Sequence, residues 1–278
     1  MISVFSTSDN FRHGETIRSL AMSFGLIKVD SIIWNMQQKP VFDMLHELRP
    51  DVLFCSSFNI NDEILNALDE YKNTKLVIIG DKPETEVTKD CLICYEENSP
   101  KNSISYHLRP AANVRAIRGK YNKIYECDVM SVCEQKSFIM NTVSESYKTK
   151  IFSFYNHIPD DYRYLGKISL DMFSDLVKSS KVFLEEHDNV QNLMNALANG
   201  TTVLTKNKIF LDNDNIKIFN KENIEEILKE STSLKGPVDS PTEILENHTC
   251  LSRLSDIMSI LGHTKEVSLC KELITSLK

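Results

Sequence analysis

Asp81 follows four apolar residues and a glycine in KLVIIGDKP. A carboxylate directly behind a buried strand stands at a sheet edge, where it can take the proton of an attacking hydroxyl as a general base. An aspartate before Lys-Pro is also ordinary turn chemistry, and both roles stay open. His13, in the first strand-to-helix loop with Asp9 nearby, is the alternative base or else a solvated imidazole. A different chemistry is suggested by residues 101–125, KNSISYHLRPAANVRAIRGKYNKIY, which carry Lys101, Arg109, Arg115, Arg118, Lys120 and Lys123 without one Asp or Glu. Cations interleaved with Tyr106, Tyr121 and Tyr125 suit phosphate contacts and base stacking. The competing reading is a basic linker salt-bridged to the acidic stretch 81–97 just upstream.

Several other chemistries have no residues to carry them. There is no GxGxxG and no GxxxxGK[ST] among only 8 glycines, which argues against an NAD enzyme or a P-loop NTPase. HExxH and GxSxG are also missing, so zinc-protease and α/β-hydrolase readings have no support. Cys91-Leu-Ile-Cys94 lacks a second pair at zinc spacing and has an apolar interior, so it reads as part of a buried strand. Seven thinly spread cysteines are an odd number, read here as reduced thiols. A net charge of −7 argues against indiscriminate coating of nucleic acid while permitting a local basic patch. No run approaches the roughly 18 apolar residues of a membrane span, and the opening MISVFSTSDN has neither a basic n-region nor a long apolar h-region, so the expectation is that it reads as mature protein. The expectation is a cytoplasmic, monomeric protein with no membrane segment.

The elements that must position these residues are legible from periodicity. MISVF, ETIRSLAMSF, VDSIIW, VFDMLHEL, DVLFCS, DEILNALDEY and KLVIIG alternate strand and helix with short connections. Such alternation predicts a parallel sheet with helices on both faces and ligands at the carboxyl ends of the strands. A second alternating block runs through KIYECDV, KTKIFSFY, SLDMFSDLVKSS, KVFLEEH, NVQNLMNALANG, TTVLT, IKIF and KENIEEILKE. Ser169 is a fitting N-cap and Gly200 a fitting helix terminator. The expected fold is α/β with two Rossmann-like domains, residues 1–122 and 123–278, facing a cleft. The helical tail (Leu251, Leu254, Ile257, Met258, Leu261) is expected to pack back across them.

The block LGKISLDMFSDLVKSSKVFLEEHDNVQNLMNALANGTTVLT runs Gly-Lys turn, capped helix, strand, loop, small-residue helix ending in Gly, strand. It resembles the donor-binding half of GT-B glycosyltransferases, whose second helix carries Arg-x-x-Glu-Ala-x-Ala-x-Gly and directs its amino end at a nucleotide diphosphate. An ordinary βαβ unit accounts for the same pattern. Three further segments narrow the resemblance: DVLFCSSFNINDEILNALDEYKNTKLVIIGDKP, YECDVMSVCEQKSFIM and KISLDMFSDLVKSSKVFLEEHD. They are similar in order to landmarks of the phage DNA β-glucosyltransferases that modify hydroxymethylated cytosine.

The resemblance implies an inverting transferase that moves a sugar from a UDP-sugar to hydroxymethylated pyrimidine in double-stranded DNA, with the base flipped out. Asp81 falls at that family's general base, Ser131 and Gln135 at its phosphate-binding arginines, and Asn192 and Asn195 at the Arg and Glu of its donor helix. Of these only Asp81 keeps the residue type. Lys136 and Lys167 would then meet the diphosphate, with Mg²⁺ or Mn²⁺ as a further counter-charge. Glu185, Glu186, His187 and Asp188 could touch the sugar or the ion, although a solvated polar turn is the plainer expectation. The alternatives are a GT-B enzyme with a glycan or small-molecule acceptor, which makes the basic stretch a linker, and a catalytically dead binding module.

Overall fold

The computed structural model describes residues 1–7, 14–80, 83, 85–87, 90–95, 104–133, 143, 146–154, 164–186, 189–206, 208, 213–233 and 242–277. The chain divides into two compact units, Met1–Arg109 with Cys250–Leu277, and Pro110–Thr249.

The first unit is a six-stranded parallel sheet of order β2-β1-β3-β4-β5-β6. Its strands are β1 (Ile2–Thr7), β2 (Asp30–Asn35), β3 (Val52–Ser56), β4 (Lys75–Ile79), β5 (Cys91–Tyr95) and β6 (Ile104–His107). Period-two alternation sorts the side chains to two faces. On one face Phe5 stacks on Phe54 at 4.5 Å, and Phe24 of helix α1 (Gly14–Leu26) meets both edge-on. On the other, Val4, Leu53, Leu76 and Ile78 form one core with Met44, Leu45, Ile64 and Leu68. These come from α2 (Val41–Leu48) and α3 (Asp62–Glu70), the latter capped by Asn61, which accepts from Ile64 N at 3.0 Å. Each fully buried Phe or Leu contributes about 1.5–3 kcal/mol, so the sheet is held from both faces. Cys91 and Cys94 sit in β5 as expected, and an i, i+3 pair in a strand points to opposite faces, so the CxxC cannot grip one ion. All seven cysteines are free thiols.

The second unit is another parallel sheet, of order β12-β11-β10-β7-β8-β9. Its strands are β7 (Cys127–Val132), β8 (Thr149–Ser153), β9 (Tyr164–Lys167), β10 (Ser180–Glu185), β11 (Thr202–Thr205) and β12 (Ile216–Ile218). Helices α4 (Leu170–Lys178), α5 (Val190–Ala198), α6 (Ile224–Ser233) and α7 (Thr242–Asn247) belong to it. Ser169 caps α4, accepting from Met172 N at 3.2 Å, and Gly200 leaves α5 at φ +76°, a left-handed value that favours glycine. Val129, Ile151, Val182, Leu184 and Leu204 pack with Phe219, Ile224 and Leu228 on one face. Phe173 of α4 meets Phe183 edge-on at 5.5 Å on the other.

One expectation is corrected. The division falls after Arg109 rather than at residue 122, because residues 110–125, irregular apart from the 3-10 turns Val114–Ile117 and Lys123–Tyr125, are hydrogen-bonded to helices of the second unit. The helical tail falls to both units: Thr242–Asn247 belongs to the second and Cys250–Leu277 to the first. Leu251, Leu254, Ile257 and Met258 of α8 (Cys250–Ile260) are fully buried, and α8 packs on α1 and on α9 (Thr264–Thr275). Among the described residues no helix is long and apolar enough to cross a membrane.

Candidate functional site

In an open parallel sheet, ligands bind where the strand order reverses, outside the carboxyl ends of the two strands at that point. In the first unit these are β1 and β3, whose ends carry the buried hydroxyls of Ser6, Ser56 and Ser57. Burial drives the neighbouring Cys55 thiol up to about 12, with the Ser6 hydroxyl opposing the shift. Asp81 and His13 lie outside the described residues.

In the second unit the reversal lies between β7 and β10. Ser131 is fully buried near the end of β7, paired in register with Leu184 of β10. Its Oγ is 3.2 Å from Cys133 Sγ, which in turn donates to Glu186 Oε2 at 3.9 Å. This chain of contacts bridges the ends of the two strands. Glu185 and Glu186 are 1% and 4% exposed. The solvated turn expected at these two positions is therefore corrected: an acidic pair directly after the apolar Val-Phe-Leu is drawn inward with the strand. His187 and Asp188 are outside the described residues. Asn189 caps α5 by accepting from Asn192 N at 3.1 Å, while its own N–H donates to Glu185 Oε1 at 3.3 Å. Lys206, just past β11, donates to Glu186 O at 3.3 Å. Two buried acids, a thiol, a hydroxyl and a helix amino end thus converge at the carboxyl edge. Cys133 gave no sequence signal beyond its place in the cysteine count.

The other predicted residues scatter. Gln135 and Lys136 fall outside the described residues. Lys167 ends β9, an exposed edge strand separated from β7 by β8. Asn192 and Asn195 lie on α5, 6% and 0% exposed. The Asn195 carboxamide oxygen accepts from Asn113 N at 2.7 Å and from Gln191 Nε2 at 3.2 Å. One turn further on, Asn199 donates to Ala116 O and accepts from Gly119 N at 3.3 Å. Asn195 and Asn199 therefore fasten residues 111–119 to α5, and the amide oxygen expected to hold a ligand is taken up by the chain's own backbone. Gly119 belongs to the same fastening. A Cβ there would stand 2.2 Å from Ser174 O, which only glycine avoids.

The basic stretch is split. Arg109 belongs to the first unit, where its carbonyl accepts from Arg253 Nε at 3.0 Å, and Arg115, Arg118, Lys120 and Lys123 belong to the second. Arg115 pairs with Asp171 of α4 at 2.7 Å, Lys120 N donates to Asp175 Oδ1 at 2.7 Å, and Asn122 N donates to Ser179 Oγ at 2.8 Å. Among the described residues, the acids that hold Arg115 and the Lys120 backbone come from α4. Among the described residues no three His, Cys, Asp or Glu side chains form a group able to hold a metal ion.

No protein-family model and no curated protein matches this sequence. Solved structures do match the fold. The UDP-GlcNAc 2-epimerase from Methanocaldococcus jannaschii aligns over 94% of this chain and 99% of its own, at 11% identity and a TM-score of 0.50. The S. aureus MnaA–UDP co-structure aligns over 96% of this chain and 97% of its own, also at 11% identity and 0.50. At such identity the likeness is one of fold: two parallel α/β sheets of the GT-B class. These likenesses do not extend to the phage DNA glucosyltransferase resemblance.

Proposed function

We propose that this chain is a GT-B enzyme that binds a UDP-sugar at the carboxyl edge of the second sheet and transfers the sugar to a glycan or small-molecule acceptor. The observation that carries this reading is the convergence of Ser131, Cys133, Glu185, Glu186 and the capped end of α5 at the β7/β10 reversal. Solved structures with this fold include, by name, a UDP-GlcNAc 2-epimerase and a protein crystallised with UDP, which supports a nucleotide sugar as the ligand class. The acceptor reading favours a glycan or small molecule over hydroxymethylated DNA, because Arg115 is already paired with Asp171 and residues 111–119 serve as a strap. Asp81 remains the proposed general base.

The test is a panel of UDP-sugars incubated with glycan, small-molecule and hydroxymethylated-DNA acceptors, following UDP and products by mass spectrometry. Transfer releases UDP and adds a hexose mass to one acceptor. Conversion of the sugar without UDP release would instead show an isomerase on the same fold. Absence of any UDP-dependent rise in melting temperature would remove the nucleotide-sugar reading.

A further inference from the structure

At the amino edge of the second sheet, where β7, β8 and β10 begin, the turn at residues 121–126 carries Ile124. At 79% it is the most exposed large hydrophobic side chain among the described residues, and Tyr121, three positions earlier, is 58% exposed. The isoleucine is held firmly. Its N–H donates to Asn122 Oδ1 at 3.0 Å, and its carbonyl accepts from Lys150 Nζ at 2.8 Å. Tyr125 N donates to Asn122 O at 2.9 Å, and Asn122 N donates to Ser179 Oγ at 2.8 Å, which moors the turn to the end of α4. Lysines surround it. Lys120 and Lys123 are exposed and flank Tyr121, while the charges of Lys148 and Lys150 both act on the neighbouring Cys127 thiol. The acids in contact with the turn and its neighbours are engaged: Glu126 by the Tyr121 hydroxyl at 2.8 Å, Asp128 by Lys181 at 2.8 Å, and Asp175 by the Lys120 N–H at 2.7 Å.

We propose that this turn is a docking surface for an anionic lipid bilayer. An exposed aliphatic side chain gains by leaving water for acyl chains, and a tyrosine, with its apolar ring and polar tip, suits the headgroup layer. Backbone polar groups resist entry into hydrocarbon unless they are hydrogen-bonded. Both of those on Ile124 are. A lone apolar anchor needs a second signal for stable binding, and lysines around it supply one by attracting anionic headgroups. In a protein of net charge −7 that attraction is local, so it orients the chain as well as holding it. A nucleic acid would gain nothing from the aliphatic tip, since bases stack on rings and phosphates meet cations. The carboxyl edge, with Ser131 and Glu186, lies at the other end of the same parallel strands, so docking leaves it uncovered. The inference is independent of the nucleotide-sugar reading.

The experiment is sedimentation of the full chain with vesicles of phosphatidylcholine alone and of phosphatidylcholine mixed with phosphatidylglycerol. The wild type should bind the anionic vesicles at least about tenfold more tightly than the neutral ones, and rising salt should weaken that binding. Ile124→Ser, and separately the pair Lys120→Gln and Lys123→Gln, should each lower affinity for the anionic vesicles at least about tenfold. The substituted side chains are exposed, so urea midpoints should match the wild type and a lost affinity reads the surface itself. Equal binding of both vesicle types, binding to neither, or wild-type affinity in Ile124→Ser would overturn the proposal. So would duplex DNA that binds the wild type, loses affinity in the lysine variant and keeps it in Ile124→Ser, which would make the turn a nucleic-acid surface.

Discussion

Asn195 and Asn113 are 82 positions apart and are joined by a 2.7 Å hydrogen bond from the Asn113 N–H to the Asn195 carboxamide oxygen, with Asn195 wholly buried. The bond ties the start of the strap at residues 111–119 to the middle of α5. An interior position of a small-residue helix that looks built for a ligand is used to hold the chain against itself.

Replacing Asn195 by Leu should therefore lower stability. The Asn113 N–H would be left buried without an acceptor, at a cost of about 1–3 kcal/mol. Urea unfolding followed by circular dichroism reads the change as a lower midpoint. The nucleotide-dependent rise in melting temperature should survive in the variant, because the side chain serves the strap.

Gly119→Ala tests the same fastening from the other side. Its Cβ would collide with Ser174 O, a backbone atom that cannot swing away, and with Asn199 Oδ1 at 2.8 Å. Overpacking of this kind costs about 1–3 kcal/mol. The expected outcome is a destabilised protein, whereas Gly25→Ala should be tolerated sterically, since a Cβ there meets nothing within 4 Å.

The triple variant Arg115, Arg118, Lys120→Ala should leave duplex-DNA affinity and its salt slope unchanged. A set of three phosphate contacts would flatten the slope by roughly 0.9 per contact, so a salt titration separates the two cases. Stability should fall only slightly, because the Arg115–Asp171 pair is exposed on both sides, 53% and 61%, and such pairs contribute about 0–1 kcal/mol.

Asp128 supplies a pH dependence. Burial alone would raise its pKa, but the hydrogen bond from Lys181 at 2.8 Å, the Lys148 N–H at 2.9 Å and the two lysine charges together hold it below the usual carboxylate value. A folded pKa below the unfolded one gives stability that is present above the unfolded value, about 3.9, and is lost as pH falls through the folded value. Asp128→Asn should be less stable than the wild type at pH 7. The gap should close on acidification below about pH 4, as pH-dependent unfolding curves of the two proteins would show.

Legibility in the sequence followed periodicity. β1 to β4 with α1 to α3 match the alternating runs because each strand is apolar and each helix has one apolar stripe. β6 and β9 were not legible: Ile-Ser-Tyr-His and Tyr-Leu-Gly-Lys are short, mixed edge strands whose pairing, not whose pattern, makes them strands. The boundary was misplaced because residues 110–125 have no period of their own and are held by side chains 55 to 82 positions away. The tail helix was visible in Leu251, Leu254, Ile257 and Met258, but periodicity says that a face is buried, never against which partner. In the candidate site, the location after β10 and at α5 was readable from residue order. The inward turn of Glu185 and Glu186 was not, since an acidic pair at a strand end is compatible with solvent until the neighbouring strand ends are placed.

The first unit is assembled from both ends of the chain, residues 1–109 and 250–277, while the second is one uninterrupted stretch, 110–249. On the ribosome this inverts the usual order of completion. At about 5–20 residues per second, the intervening 140 residues take about 7–28 s to be made. During that interval α1 has no α8 to cover it, although the residues of all six strands of its sheet have already been synthesised. The middle of the polypeptide can thus reach its native packing first, and the amino-terminal half-built unit waits for the carboxyl-terminal helices to close it.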